Sequence, residues 1–214
     1  MPQEIEIKFR IENLPALTQL LKQAGFKQIT RSTHERNSLY DLPGQKLRLR
    51  GEMLRLRKYG EAWTLTHKGK PTVAHKTRKD VKPEAGRHKA RVELETRVEN
   101  GQQMEAILRA LGFKPTFRYE KYRAEWGDGK GHVVLDKTPI GNFGEIEGAP
   151  RWIDHTARAL GIERGEYITQ TYAPMFFAWK RRTRSIATEM TFKALRRKSE
   201  KRLTKEKPST PRKS

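Results

Sequence analysis

At 214 residues, with 35% hydrophobic and 33% charged side chains, the chain suits either one large lean domain or two small ones. It has no cysteine, which excludes a disulfide framework and a thiolate metal site. The formal charge is +21, and residues 180–214 hold 14 Lys or Arg against three Glu, so +11 sits in that tail and +10 in the body. The body's own excess calls for a polyanionic ligand or partner. The start MPQEIEIKF lacks the regions of a signal peptide, and no run reaches membrane-spanning length, so a cytoplasmic protein with no membrane contact is expected.

Taken in order, Glu4, Glu6 and Lys8 share one face of a strand, with Ile5, Ile7 and Phe9 on the other, because side chains alternate with period two. Asn13 suits the N-cap of a helix and Gly25 its left-handed C′ position. Arg55 and Arg57 alternate with Leu54 and Leu56, and Thr64, Thr66 and Lys68 lie opposite Leu65. The earlier Leu47-Arg-Leu-Arg50 copies this form, and its arginines are expected in solvent. Residues 73–88, with Lys76, Arg78 and Lys79, form a basic loop punctuated by Pro and Gly.

A strand with Lys89, Arg91, Glu93 and Glu95 on one face follows, then a helix between Asn100 and Gly112. Lys121 and Arg123 accompany Tyr119 on a further strand, Gly127-Asp-Gly-Lys-Gly131 makes a hairpin turn, and Asp136, Glu145 and Glu147 belong to the last strands. Pro150 and Gly161 bound a third helix near Trp152–Leu160. Met175, Phe176, Phe177 and Trp179 form an apolar stripe that docks on the body or serves a subunit contact. The organisation expected is a domain over 1–172, a helical extension over 173–195 and a basic disordered tail over 196–214.

Two halves of this chain repeat. Arg10-Ile-Glu-Asn13 recurs as Arg97-Val-Glu-Asn100 and Gly25-Phe-Lys27 as Gly112-Phe-Lys114, both at an offset of 87; at that offset Arg31 and Arg36 fall on Arg118 and Arg123. Any single strand is compatible with an antiparallel sheet whose charged face meets water. Charged faces of mixed sign on so many strands, with amphipathic helices to cover the apolar sides, fit better a sheet closed into a barrel with its charges inside. Such an interior needs cations and a polyanion to offset the like charges gathered there.

These motifs resemble the CYTH superfamily, the triphosphate tunnel metalloenzymes: Glu4-x-Glu6-x-Lys8, Leu54-Arg-Leu-Arg57, Leu65-Thr-His-Lys-Gly69, Lys89-x-Arg-x-Glu-x-Glu95, Lys121-x-Arg123, Val134-Leu-Asp136 and Gly141-Asn-Phe-Gly-Glu-Ile-Glu147. The resemblance implies an α+β fold, an eight-stranded antiparallel β-barrel of two related halves with helices packed outside. It implies Mg²⁺ or Mn²⁺ held by carboxylates, for which Glu4, Glu6, Glu145 and Glu147 lead, with Asp136, Glu93 and Glu95 behind them. Lys8, Arg55, Arg57, Lys68, Lys89, Arg91, Lys121 and Arg123 would hold phosphate, and Lys8, Arg57, Lys68, Lys121 and Asp136 are the catalytic candidates.

Glu-Ile-Glu-Ile-Lys, Glu35-Arg-Asn37 with Tyr40-Asp41, and Phe117-Arg-Tyr-Glu-Lys-Tyr-Arg123 look like the class IV adenylyl cyclase branch, which makes cyclic AMP and pyrophosphate from ATP and suggests a homodimer. Hydrolysis of thiamine triphosphate, a nucleoside triphosphate or tripolyphosphate uses the same clamp. A polyphosphate- or nucleic-acid-binding protein without turnover is the alternative of another class. The tail would touch nucleic acid non-specifically, through charge alone.

Overall fold

The computed structural model describes the backbone of residues 3–70, 72–73 and 89–196 and the side chains of 5–70 and 92–196. The side chains of Glu4, Lys89 and Arg91, the basic loop over 74–88 and the tail from 197 lie outside the described residues.

The elements run β1 (Gln3–Ile11), α1 (Leu14–Gln23), β2 (Lys27–Asp41), α2 (Lys46–Leu49), β3 (Met53–Tyr59), β4 (Ala62–Lys68), β5 (Thr72–Val73), β6 (Lys89–Val98), α3 (Gly101–Ala110), β7 (Lys114–Gly127), β8 (His132–Thr138), β9 (Gly141–Glu147), α4 (Pro150–Ala159) and α5 (Tyr172–Thr183). Every strand pairing is antiparallel, in the order β1-β9-β8-β7-β2-β3-β4-β6, and β1 also pairs with β6 through Gln3–Glu6 and Lys89–Val92. That last pairing joins the two ends into an eight-stranded ring. The short β5 continues the β4 side of β6.

The sequence repeat is also a repeat of local structure. Asn13 Oδ1 accepts from Ala16 N–H at 3.0 Å and Asn100 Oδ1 from Gln103 N–H at 2.9 Å, each satisfying a donor that the first helical turn leaves unpaired. At the other ends Gly25 (φ 84°) and Gly112 (φ 89°) take the left-handed conformation, which a side chain would resist. The next residues close the same bond in both halves, Phe26 N–H to Leu21 O and Phe113 N–H to Leu108 O.

Outside the ring, α1 and α4 cover β1, β8 and β9, burying Ile7, Phe9, Leu21, Val133, Ile146, Ile153 and Ala157. α3 covers β3 and β4 through Leu108 and Met104 against Leu56, Leu54 and Leu65. α5 packs Met175 and Phe176 on Phe117, Tyr119 and Phe143, while Phe177 stays 40% exposed. Under α1, α3 and α4 the apolar half of the strands faces outward and the polar half inward, whereas α5 packs against Phe117, Tyr119 and Phe143, which share the inward face of Lys121, Arg123 and Glu145.

Two strand edges left open by the ring are closed by the C-terminal segment. Ile168 N–H donates to Lys8 O on β1, and Glu120 N–H to Met190 O beside β7. Arg48 and Arg50 of the motif copy are exposed, and α2, which carries Arg48, is capped by Asp41, whose carboxylate accepts from the N–H groups of Leu47 and Arg48.

The β2–β7 register slips by one residue between Gln28 and Thr30 and again between Thr30 and Thr33, with a further irregularity between Leu39 and Tyr40. Because side chains alternate, one such slip exchanges the two faces and a second restores them, so the facing is read from the residues actually paired. With Glu35 paired to Lys121 and Asn37 to Tyr119, these two enter the barrel, and Arg36 is exposed although the repeat aligns it with Arg123.

Candidate active site in the barrel

The barrel encloses a cavity of about 450 Å³ lined by cations on several strands, Lys8, Arg55, Arg57, Lys68, Lys121 and Arg123, and by carboxylates Glu6, Glu93, Glu95, Glu125, Glu145 and Glu147. Leu39, Met53, Tyr119, His132, Val134, Thr171, Tyr172 and Ala173 complete the wall.

Charges of opposite sign are interleaved along the wall. Lys8 Nζ lies 2.7 Å from Glu145 Oε1, and Lys68 Nζ 2.8 Å from Glu93 Oε2. Glu95 accepts from Arg57 and from Thr66 Oγ1, both at 2.6 Å, and stands 3.6 Å from Arg55. Asp136 is fully buried and accepts from Lys121 at 2.8 Å, from Arg123 through Nε at 2.8 Å and one terminal amino group at 2.7 Å, and from the Tyr172 hydroxyl at 2.7 Å. Arg123 also reaches Glu145. With both Asp136 oxygens accepting, its geometry is that of an anchor for the clamp.

Burial alone pushes the Lys8 ammonium downward, but Glu145, with Glu6 and Asp136, reverses that and holds it above its ordinary range. Burial likewise pushes Glu145 upward, and Lys8, Arg123 and Lys121 overcome it, so this carboxylate sits well below the usual range. The Tyr172 phenol is raised well above its ordinary value, first by burial and then by Asp136 and Glu145, and it remains a donor. Its ring lies 4.7 Å from Lys8 Nζ and 5.1 Å from Lys121 Nζ, where the π face attracts both ammoniums.

Glu6 and Glu147 are register partners across β1 and β9, and both line the cavity. Like charges directly opposite each other in a sheet repel. Among the described residues no group of three His, Asp or Glu is arranged to hold a metal ion. A pair of carboxylates still fits a hard divalent cation that keeps waters and takes its remaining oxygens from a bound phosphate. Glu4, on the same strand, has its side chain outside the described ones.

Of the residues the sequence singles out, the structure brings Lys8, Arg55, Arg57, Lys68, Lys121, Arg123, Glu6, Glu93, Glu95, Glu145 and Glu147 to one cavity, with Asp136 buried beside it. Tyr172 escaped sequence reasoning, and Thr66, Glu35 and Asn37, though part of its patterns, were given no place in the site. A face pattern Glu35-Asn37-Leu39 exists in the sequence, but alternation alone does not say which face is inside.

A closed antiparallel barrel with a two-signed charged interior is the architecture of a triphosphate tunnel. The CYTH domain model matches residues 2–172, and the chain belongs to the CYTH family. Membership carries action on a triphosphate and divalent-metal dependence. No curated protein sequence matches. Among solved structures, a candidate adenylate cyclase of Vibrio parahaemolyticus superimposes with a TM-score of 0.65 at 21% identity, covering 81% of this chain and 97% of its own. A Pyrococcus horikoshii protein gives 0.63 at 22% identity, with 80% and 98% covered. A candidate adenylyl cyclase of Hippeastrum, reported to have a dominant triphosphatase activity, gives 0.56 at 19%, with 82% and 95% covered. These likenesses establish the fold.

Proposed function

We propose that this chain is a Mg²⁺- or Mn²⁺-dependent enzyme that draws the triphosphate of a small substrate into the barrel, with ATP cyclised to cyclic AMP and pyrophosphate as the leading reaction. The observation that carries this reading is the convergence of Lys8, Arg55, Arg57, Lys68, Lys121 and Arg123 on one cavity that also holds the apposed Glu6 and Glu147. Phosphoryl chemistry depends mainly on holding the reacting groups in line and on neutralising charge that spreads in the transition state. Arginine forks grip phosphate oxygens in pairs, and Lys8, kept protonated by its carboxylate neighbours, supplies a fixed positive charge.

Glu6 and Glu147, with Glu4 from the same strand as Glu6, are assigned to the cation, which when bound would neutralise phosphate charge and lower the pKa of an attacking water or hydroxyl. Glu93, Glu95, Glu145 and Asp136 are assigned to orienting the cationic side chains they already contact. Lys89 and Arg91 are assigned to the phosphate from their strand.

Hydrolysis is the second reading. It is favoured by the predominance of charged groups in a 450 Å³ cavity, which suits an inorganic chain as well as a nucleotide, and by the activity reported for the Hippeastrum protein. Pure protein incubated with ATP, thiamine triphosphate or tripolyphosphate and either cation separates the cases. Cyclic AMP with pyrophosphate marks the cyclase, and orthophosphate marks the hydrolase. Tight anion binding without turnover of any substrate would leave a binding protein. Full activity in a Glu4→Gln/Glu6→Gln protein would remove the metal assignment.

A further inference from the structure

The charge that most constrains the clamp is one the phosphate-binding reading does not use. Glu35 is wholly shielded from solvent on β2, the strand between β3 and β7. One oxygen accepts from Asn37 Nδ2 at 2.8 Å, while the other, Oε2, has no hydrogen-bond partner. Arg57 and Arg123 stand 3.8 Å from Oε2, and Lys121 lies 3.5 Å from the oxygen that Asn37 bonds. A buried charge persists only when it is paired, and here the pairing is shared among three cations with none in tight contact.

Each of those cations also has a nearer partner. Arg57 is held by Glu95 at 2.6 Å, while Lys121 and Arg123 are held by Asp136 at 2.8 and 2.7 Å. Glu35 is the carboxylate that reaches both groups, the β3 arginine of the first half and the β7 pair of the second. Its place inside follows from the β2–β7 register, which pairs Glu35 with Lys121 and leaves Arg36, the repeat's counterpart of Arg123, exposed.

We propose that Glu35 is a fixed internal counter-anion, a positioning residue that sets the spacing of Arg57, Lys121 and Arg123 and weakens their grip on a bound polyphosphate. This rests on the reading of the cavity as a triphosphate site. Substrate phosphates and Glu35 attract the same three cations. A negative charge beside them lowers their affinity for a polyanion, and so keeps the phosphate product from remaining bound. The same charge holds the three cations where the transition state needs them.

Glu35→Gln keeps the shape and removes the charge. Calorimetry with inorganic tripolyphosphate in metal-free buffer is expected to give about tenfold tighter binding than wild type, with kcat and KM for the turned-over triphosphate both about tenfold lower. A loss of folding would instead weaken binding. Glu35→Asp keeps the charge, so it folds even if the Gln variant does not, and withdraws the carboxylate by one methylene; it should show the same changes at about threefold. Tripolyphosphate affinity equal to wild type in the Gln variant, or in the Asp variant where it alone folds, overturns the role of Glu35 while leaving the site intact. Wild-type protein that binds no tripolyphosphate overturns both readings.

Discussion

Lys8 on β1 and Glu145 on β9 are register partners joined by an ion pair at 2.7 Å, and both side chains are nearly excluded from solvent. The pair explains how a tunnel full of cations can fold before its ligand arrives, since each buried cation already has a carboxylate.

Breaking that pair from one side should therefore be costly. Lys8→Met leaves Glu145 buried with Arg123 as its remaining close cation, and a loss of about 3 kcal/mol is expected in urea denaturation, together with loss of triphosphate turnover. Unchanged stability would mean that water reaches Glu145.

The apposed Glu6 and Glu147 carry the opposite expectation. A Glu6→Gln/Glu147→Gln protein loses a cross-strand repulsion worth about 0.5 kcal/mol together with the attraction of Glu6 for Lys8, so its melting temperature in chelator should stay close to that of wild type. Adding Mg²⁺ or Mn²⁺ should raise the melting temperature of wild type and not of the variant. An equal rise in both would place the cation elsewhere.

Glu35 predicts the acid limb of stability. Burial raises its carboxyl, but Lys121, followed by Arg123, Arg57 and Arg55, lowers it from 4.5 to about 2. The unfolded chain binds this proton first as pH falls, so the contribution is fully present above 4.5 and lost progressively toward pH 2. That contribution is on the order of 3 kcal/mol. The stability difference between wild type and Glu35→Gln should thus shift against wild type as pH drops through this window, by denaturation at matched pH. A constant difference would contradict the depressed value.

Tyr172 joins α5 to the clamp by two separable contacts. Tyr172→Phe removes the hydroxyl bond to Asp136 and keeps the ring beside Lys8 and Lys121, for an expected cost of about 1.5 kcal/mol. Tyr172→Leu also removes the π face and should cost about 1 kcal/mol more. Equal melting temperatures for the two variants would show that the ring contributes nothing.

Gly144 supplies the close approach of β9 to β1. A Cβ there would fall 2.1 Å from Phe9 Cζ, and Phe9 is buried under the helices. Gly144→Ala should destabilise by about 3 kcal/mol, read by thermal or urea unfolding, because a packed core resists added volume.

Much of this fold was legible in the chain itself. The offset of 87 residues links Asn13 with Asn100 and Gly25 with Gly112, and both pairs make the same cap and the same turn. Helix ends follow from local hydrogen bonding, and strand faces from a period of two, so a sequence carries both without knowing its neighbours. The six tunnel cations were legible for the same reason, each standing opposite apolar residues on its own strand.

What the sequence determined is therefore the set of charged faces and the doubled plan. The tertiary structure decided which side chain meets which, and here the β2–β7 register sets Glu35 opposite Lys121 inside the barrel and leaves Arg36 exposed. It also brought Tyr172 of α5 onto Lys8, Lys121 and Asp136. Register and long-range docking depend on the sum of contacts across the whole barrel, and no local pattern within one strand or helix contains that sum.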